Sequence, residues 1–214
     1  MTENKSIDDI NHFIDHGSIT SQQIVVVSLC FLFNMLDGFD ITAMAVVASP
    51  VSVDLALTPD LLGWIFSFAL AGMMVGAMAL APVADVIGRR ALIIISLLIV
   101  GVSVVMTSKA ESLTLFMMLR FISGMGAGAL LASQASLAAE YSPNKYRALS
   151  VAIVTAGYPT SAMMTSVVAG YILPEYGWRT MFLFGGVVTI SMVVVAWFMI
   201  PESLKYLFEK RPAN

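Results

Sequence analysis

Three ionisable residues stand inside long apolar runs of this sequence. Asp37 and Asp40 lie in the first run, and Arg120 lies in the fourth. If these runs cross a membrane, each charge costs about 2.5 to 3.5 kcal/mol unless it faces protein or water. A buried carboxylate can pair with a cation or take up a proton, and a guanidinium can hold a carboxylate through two parallel hydrogen bonds. These residues are therefore the first candidates for a functional site.

The spacing of the two acids places them on one face of a helix. Three residues correspond to about 300° of rotation, so Asp37 and Asp40 share a face with Asn34, and Gly38 between them permits a close neighbour. Counted from Gln23 at about 1.5 Å per residue, the acids lie roughly 21 Å and 25 Å along a helix that crosses a core about 30 Å thick. Both acids are thus predicted to lie inside the membrane.

Arg120 lies at a matching depth. Counted inward from Leu113 it is roughly 10 Å deep, and Asp37 is roughly 9 Å from the same surface. Isolated in lipid, the three charges would together cost about 8 to 10 kcal/mol, whereas a shared polar interior lets them neutralise one another. We therefore expect the first and fourth helices to face each other across a cavity.

The composition indicates an integral membrane protein. The 214 residues are 58% hydrophobic and 12% charged, and the mean hydropathy is +0.87, whereas a soluble domain has about 25% charged residues. The single cysteine, Cys30, excludes an intrachain disulfide. Without strand-like alternation, the prediction is an all-α membrane protein with a six-helix bundle. The six apolar runs are 23–48, 61–84, 91–108, 113–138, 148–173 and 179–200.

The basic residues predict the orientation. Cytoplasmic loops carry an excess of Lys and Arg, which here places both termini in the cytoplasm of a plasma (inner) membrane protein. We divide the chain into a cytosolic tail (1–22), the bundle (23–200), and a cytosolic tail or the start of a central linker (201–214). The residues on the predicted inner side are Lys5, Arg89, Arg90, Lys145, Arg147, Lys205, Lys210 and Arg211, against Lys109 and Arg179 outside.

Tryptophan and proline positions predict where helices end. Trp64, Trp178 and Trp197 stand at ends of runs, as in an aromatic belt at the two interfaces. Pro50 and Pro59 are expected to bound the helices on either side of a short outer loop. A further proline, at position 159, is predicted to bend the fifth helix.

Two polar connections lie on the predicted inner side. In the first, Gly88 can take the turn, and Asp85 can reach Arg89 or the positive end of the third helix. In the second, Glu140 and Arg147 are expected to form an ion pair. Taken alone, such a pair is also common in surface loops that have no functional role.

Four of these elements, in this order, resemble the major facilitator superfamily. The turn at Asp85, Gly88, Arg89 and Arg90 resembles its G-x-L-A-D-R-x-G-R-R signature, with departures at Ala81 and Val86. The segment that begins at Arg120 fits R-x-x-x-G-x-G-x-G, and 140–147 fits E-x-x-P-x-x-x-R. The resemblance implies one six-helix half of a major facilitator fold. It also implies a cytosolic gate made of Asp85, Gly88, Arg89, Arg90, Glu140 and Arg147.

Within the superfamily, residues 37–40 resemble the D-G-x-D of the aromatic acid:proton symporters. Pro201-Glu202-Ser203 is similar to the end of their sixth helix, and Gly157 and Pro159 resemble their fifth, although Ser161 stands where that family has Gly. The resemblance covers the amino-terminal half of such a protein. We therefore expect either a fragment, whose partner is a missing carboxy-terminal six-helix half, or a free-standing half that pairs with a second copy.

The resemblance implies proton-coupled uptake of a small aromatic carboxylate, such as a hydroxybenzoate. The implied site is Asn34, Asp37, Asp40, Arg120 and Tyr158. We hypothesise that the substrate competes with an aspartate for Arg120, so that binding releases Asp37 or Asp40 to accept a proton.

Other functions remain open from the sequence. The rivals are another superfamily substrate (a sugar, nicotinate or an organic ion), a non-transporting sensor or subunit, and, less favoured, a membrane enzyme. His12 and His16 lie in the tail without an acid or thiol cluster, so we predict no metal, no cofactor other than protons, no nucleic-acid partner and no enzyme activity.

Overall fold

The computed structural model describes residues 20–203. The predicted terminal tails therefore lie almost entirely outside the described residues, as do His12 and His16. Within the described range every regular element is helical. Five helices are long and apolar enough to cross a membrane. The helices, labelled α1 to α4 in chain order, are Ser21–Asp54, Pro59–Val75, Arg89–Thr107 and Leu113–Glu140, and the fifth continuous element is Arg147–Met199.

The last element contains two crossings. Gly177 has φ 74° and ψ 179°, which breaks the helix, and we label its two arms α5 (147–176) and α6 (178–199). Glu140 at the end of α4 bonds Arg89, and α5 begins after a short connection, at Arg147. Near the end of α6, the backbone oxygen of Trp197 accepts a hydrogen bond from Arg90. One end of each helix therefore lies near the start of α3. The chain therefore reverses at Gly177, and the prediction of six membrane helices is confirmed.

Helix α2 is shorter than the sequence predicted. The α-helix ends at Val75 and continues as a π-helix at Gly76–Leu80, a 3₁₀ turn at Ala81–Val83 and a short helix at Ala84–Ile87. Pro82 has no backbone N–H for the bond to the preceding turn, which explains why regular α-helix does not persist here. The predicted crossing at 61–84 corresponds to Pro59–Leu80, but its π and 3₁₀ geometry was not predicted.

Helix starts follow from local sequence. Thr20 caps α1, because its side chain accepts from Gln23 N while its own N–H bonds Gln23 Oε1. Pro59 begins α2 as expected, since a first-turn residue needs no donor. Pro50, by contrast, lies inside α1, which continues to Asp54. The prediction that Pro50 ends the first helix was wrong.

Glycines allow α4 to approach two neighbours closely. A Cβ on Gly124 or Gly128 would overlap backbone atoms of α2, whereas one on Gly126 would meet α3. From the other side, a Cβ on Gly72 or Gly76 would overlap the backbone of α4. The glycine pattern after Arg120 therefore serves helix packing, as small residues do in membrane proteins.

The surface of the bundle fits a membrane. Large apolar side chains are widely exposed, among them Phe198 at 80%, Val53 at 81% and Met78 at 72%, and exposure on this scale is unusual on a soluble protein. Of the three tryptophans, Trp64 and Trp197 are exposed and suit an interface, but Trp178 is only 5% exposed. The interpretation of Trp178 as an interfacial anchor was therefore wrong.

Candidate functional site

An ion pair joins α1 to α4 in the interior of the bundle. Arg120 Nη1 donates to Asp40 Oδ1 over 2.8 Å, and the two side chains are 2% and 12% exposed. The expectation that the first and fourth helices bring their charges together is confirmed for this pair. Because both partners are buried, each one compensates the other's lost hydration.

Two other helices also contact the Arg120 guanidinium. Its Nη2 lies 3.4 Å from Thr107 Oγ1 on α3, and its Cζ lies 4.9 Å from the centre of the Phe182 ring on α6. Arg120 Nε has no hydrogen-bond partner among the described residues. The guanidinium is thus enclosed by α1, α3 and α6, and its Nε–H is left without a partner in the described part of the chain.

Asp37 does not share the ion pair. It is 2% exposed, and neither of its carboxylate oxygens has a hydrogen-bond partner within residues 20–203; the same is true of Asn34 Oδ1. The sequence predicted that both acids would meet Arg120, but only Asp40 does. The reason is position along the helix, since Asp37 lies almost one turn nearer the start of α1.

The three charged residues line one cavity between α1, α2 and α4. It has a volume of about 110 Å³, and Ser123 is the other polar residue on its wall. The rest of the wall is apolar and includes Phe66 of α2. A mostly apolar pocket with a few convergent polar groups is typical of a small-molecule site. The apolar lining residues are Ile41, Met44, Ile65, Phe66, Ala69, Leu70, Met73, Gly124 and Ala127.

Helix α5 packs against a different face of α1 from the one that lines the cavity. Thr42 and Thr165 hydroxyls bond over 2.8 Å, and a Cβ on Gly38 would overlap Ser161 Oγ. Ser161 is therefore accommodated because Gly38 has no side chain. Tyr158 is 36% exposed and does not line the cavity described above, but it lies close enough to Asp37 for the two groups to interact electrostatically.

A second polar cluster lies at the end of the bundle where α3 begins, which we call the basic end. Arg89 Nη1 bonds Glu140 Oε1 over 2.7 Å, and Ser203 Oγ bonds the other oxygen of Glu140. The expected Glu140–Arg147 pair is absent, because Glu140 bonds Arg89 instead and Arg147 is exposed. Asp85 is also exposed, and no ion pair joins it to Arg89 among the described residues.

Glu202, and not Asp85 as the sequence predicted, contacts the positive end of α3. Its carboxylate accepts from Arg90 N at the start of α3 over 3.2 Å, where an anion is favoured by the helix dipole. Tyr141 donates to Glu202 O over 2.7 Å. Burial, then the nearby carboxylates of Glu140 and Glu202, raise the pKa of Tyr141 to about 12. The Pro201-Glu202-Ser203 signal was noticed in the sequence, but its contacts were not predicted.

No group of three His, Cys, Asp or Glu side chains within residues 20–203 is arranged to hold a metal ion. Asp40 and Arg120 are used in their mutual pair, and Asp37 lies beside them in the same cavity without a partner among the residues described. The site is therefore best described as one buried ion pair, one buried acid and an apolar cavity.

The family is shown by a family model for the Major Facilitator Superfamily that matches residues 30–213. The chain belongs to the major facilitator superfamily. It is similar to the 4-hydroxybenzoate transporter PcaK of Pseudomonas aeruginosa, with 31% identity over 93% of this chain and 44% of that protein. It also resembles the gallate transporter of Pseudomonas putida, with 27% identity over 96% of this chain and 46% of that protein. These relatives support the resemblance to the amino-terminal half of the superfamily's aromatic acid transporters.

Solved structures of superfamily members share the fold. The proton:xylose symporter XylE has a TM-score of 0.82 at 18% identity, and the match covers 90% of this chain and 48% of that one. A bacterial homolog to human lysosomal transporter Spinster has a TM-score of 0.76 at 22% identity, over 87% of this chain and 44% of that one. At these identities the likeness shows the fold alone. The chain spans less than half the length of the curated relatives it matches.

Proposed function

We propose that this chain supplies the substrate- and proton-binding half of a secondary transporter that takes up a small aromatic carboxylate together with protons. The observation that carries the proposal is the buried Asp40–Arg120 pair beside the unpartnered Asp37 in an otherwise apolar cavity. The names of the relatives, which include 4-hydroxybenzoate and gallate transporters, point to the same substrate class.

Arg120 is the proposed anion-binding group. A guanidinium stays charged at any physiological pH and offers several donors in a fixed plane, which suits a carboxylate. The substrate carboxylate would take over the contact that Asp40 makes now. The aromatic ring would then lie against the apolar wall, where Phe66 and Met73 supply large surfaces.

The two acids are the proposed proton carriers. A carboxylate buried without a partner is expensive as an anion, so we propose that Asp37 holds a proton in the state described here. Asp40 would accept a proton when the substrate displaces it from Arg120. Protons are thus the proposed coupling ion, and no other cofactor is required. Asn34 lies on the same face and would orient the carboxyl group of Asp37.

The other wall of the site is proposed to come from a second six-helix bundle. Transporters of this fold place the substrate between two bundles that rock against each other. The partner would be a carboxy-terminal half or, less favoured, a second copy of this chain. By the distribution of Lys and Arg, the basic end would face the cytoplasm and both termini would lie there, in the plasma (inner) membrane.

The cluster at the basic end is the proposed cytosolic gate. Its Arg89–Glu140 pair would hold one conformation, and Asp85, Gly88, Arg90 and Arg147 would contribute as the superfamily signatures imply. In the conformation described here Asp85 and Arg147 are exposed, so their contribution would belong to another state.

The function is tested by uptake in cells that carry the full-length protein. Labelled 4-hydroxybenzoate should accumulate against its gradient, and a protonophore should abolish the accumulation. Unlabelled benzoates should compete, whereas xylose and an organic cation should not. If nicotinate alone competes, the substrate would be nicotinate and not a benzoate. The chain is 31% identical to one niacin transporter.

The coupling role is tested by Asp37→Asn. This variant should lose uphill accumulation while it still exchanges substrate down a gradient, because it binds the anion but carries no proton. Undiminished uphill uptake by Asp37→Asn would remove Asp37 from the coupling mechanism.

The gate is tested with a matched pair of variants. Glu140→Gln breaks the contact with Arg89 and should change the transport rate, whereas Arg147→Gln removes an exposed charge. If Arg147 acts only in another conformation, its variant should alter the rate without lowering the unfolding temperature. A lowered unfolding temperature for both variants would contradict this division.

A further inference from the structure

An aromatic ring covers one face of the Arg120 guanidinium. The ring belongs to Phe182 on α6, and its centre lies 4.9 Å from Arg120 Cζ. Both residues are 1% exposed, so no bulk water screens the contact. A cation over an aromatic face is attracted by the ring quadrupole, and the attraction is strongest when both partners are desolvated.

Phe182 is itself held in place by two other rings. It packs edge-on against Phe116 and Trp178, with ring centres 5.9 Å and 6.0 Å away. We call Phe116, Trp178 and Phe182 the aromatic cluster. Trp178 Nε1 donates to Asp54 Oδ2 over 3.2 Å at the end of α1, which ties the cluster, already shared by α4 and α6, to a third helix. The position of the Phe182 ring is therefore set by contacts that do not involve Arg120.

The other neighbours of the guanidinium are less permanent or weaker. Asp40 makes the short contact, but under the proposed function it leaves Arg120 when the substrate binds. The Thr107 hydroxyl accepts from Arg120 Nη2 over 3.4 Å, which is long for a hydrogen bond. Phe182 covers the guanidinium itself, neither gains nor loses a proton, and is not exchanged for the substrate.

We propose that Phe182 is a positioning residue for substrate binding: its ring keeps the guanidinium of Arg120 in place when Asp40 is replaced by the substrate carboxylate. The inference rests on the proposed function, in which Arg120 binds that carboxylate. It adds a specific requirement for an aromatic ring on α6, a helix that does not line the cavity.

The test compares three variants of the full-length protein in uptake assays, normalised to the amount in the membrane. Phe182→Leu keeps an apolar side chain but removes the ring face, and the KM for 4-hydroxybenzoate should rise roughly tenfold to thirtyfold with a much smaller change in maximal rate. Phe182→Tyr keeps the ring and should stay within about threefold of the parent KM. Phe182→Met replaces the leucine variant if that one does not reach the membrane.

Phe116→Leu is the matched control. Phe116 is fully buried in the same cluster and contacts both other rings, but the ring over Arg120 is that of Phe182. A general packing defect would raise KM equally in Phe116→Leu and Phe182→Leu. That result, or a Phe182→Tyr variant as impaired as Phe182→Leu, would overturn the proposal.

A double-mutant cycle separates this inference from the proposed function. Arg120→Gln is combined with Phe182→Leu and, separately, with Phe116→Leu, and thermal unfolding of the purified proteins is measured. The non-additivity should be clearly larger at position 182 than at position 116, where Phe116 is coupled to Arg120 through the shared neighbour Phe182. Equal additivity at both positions would overturn the positioning role. A parent protein that takes up no aromatic carboxylate would instead overturn the proposed function, and the cycle would still decide whether Phe182 holds Arg120.

Discussion

Neutralising the two acids of α1 should have opposite effects on stability. Asp40→Asn leaves the charge of Arg120 buried without a counter-charge, because the two are joined over 2.8 Å inside the bundle. Asp37→Asn removes a carboxylate that has no hydrogen-bond partner among the described residues. The two variants make the same chemical change three residues apart, so each is the control for the other.

The magnitudes follow from the surroundings of each acid. Removing one partner of a buried ion pair costs about 3 to 5 kcal/mol, and the value for Asp40→Asn should fall near about 3 kcal/mol because the amide oxygen still accepts a bond from Arg120. For Asp37→Asn no pair is lost, so the free energy of unfolding should stay the same or rise by up to about 1 kcal/mol. The difference between the variants should therefore exceed about 2 kcal/mol.

The assay is reversible denaturation of the purified protein in detergent at neutral pH, followed by the fluorescence of its tryptophans. Trp178 is buried and packs against Phe182, whose ring lies over Arg120. Its fluorescence should therefore report the loss of packing around the Asp40–Arg120 pair. Equal destabilisation by both variants would mean that Asp37 also compensates Arg120, which would refute the assignment of separate roles to the two acids.

Three further predictions concern single positions. Arg120→Lys should raise the KM for the substrate at least tenfold in the uptake assay, because a lysine lacks the paired donors; an unchanged KM would remove Arg120 from the site. Gly128→Ala should lower the free energy of unfolding by about 1 to 3 kcal/mol, since its Cβ would overlap the backbone of α2, whereas Gly63→Ala, with open space around it, should be neutral or slightly stabilising. Folding raises the pKa of Tyr141 to about 12, so its contribution to the free energy of unfolding is complete below pH 10 and is lost as the pH rises towards about 12. In Tyr141→Phe, the free energy of unfolding should not fall with pH in this range for that reason. An identical pH dependence of unfolding in the parent and the variant would contradict the prediction.

The sequence predicted the parts of the fold that depend on length and hydropathy. Six apolar runs became six helices. The depth count placed Arg120 level with Asp37, whereas its partner in the structure is Asp40, almost one turn further along α1. The local geometry of α2 was not predictable in the same way. Its π and 3₁₀ segments reflect Pro82 together with the close contact between Gly76 and the backbone of α4, and this contact is tertiary.

The sequence predicted which residues could form the candidate site, but not which of them contact each other. Helical spacing puts Asp37 and Asp40 on one face, but which of them meets Arg120 depends on the path of a long side chain between three helices. The same limit applies to Glu140, which has Arg147 nearby in sequence but bonds Arg89 at the start of a different helix. Trp178 was misread because two of its partners, Asp54 and Phe116, lie far away in the chain.

The contacts of α1 differ in how they respond to charge. The link to α4 is the Asp40–Arg120 pair, which proton binding or an incoming carboxylate would change. The link to α5 consists of the Thr42–Thr165 hydroxyl bond and the close approach of Gly38 to Ser161, neither of which carries a charge. Under the proposed function, substrate and proton would therefore loosen the face of α1 that borders the cavity and leave the contacts with α5 intact. Helices α1 and α5 would then move as one unit relative to α4, and the step that binds the anion would also change the packing around it.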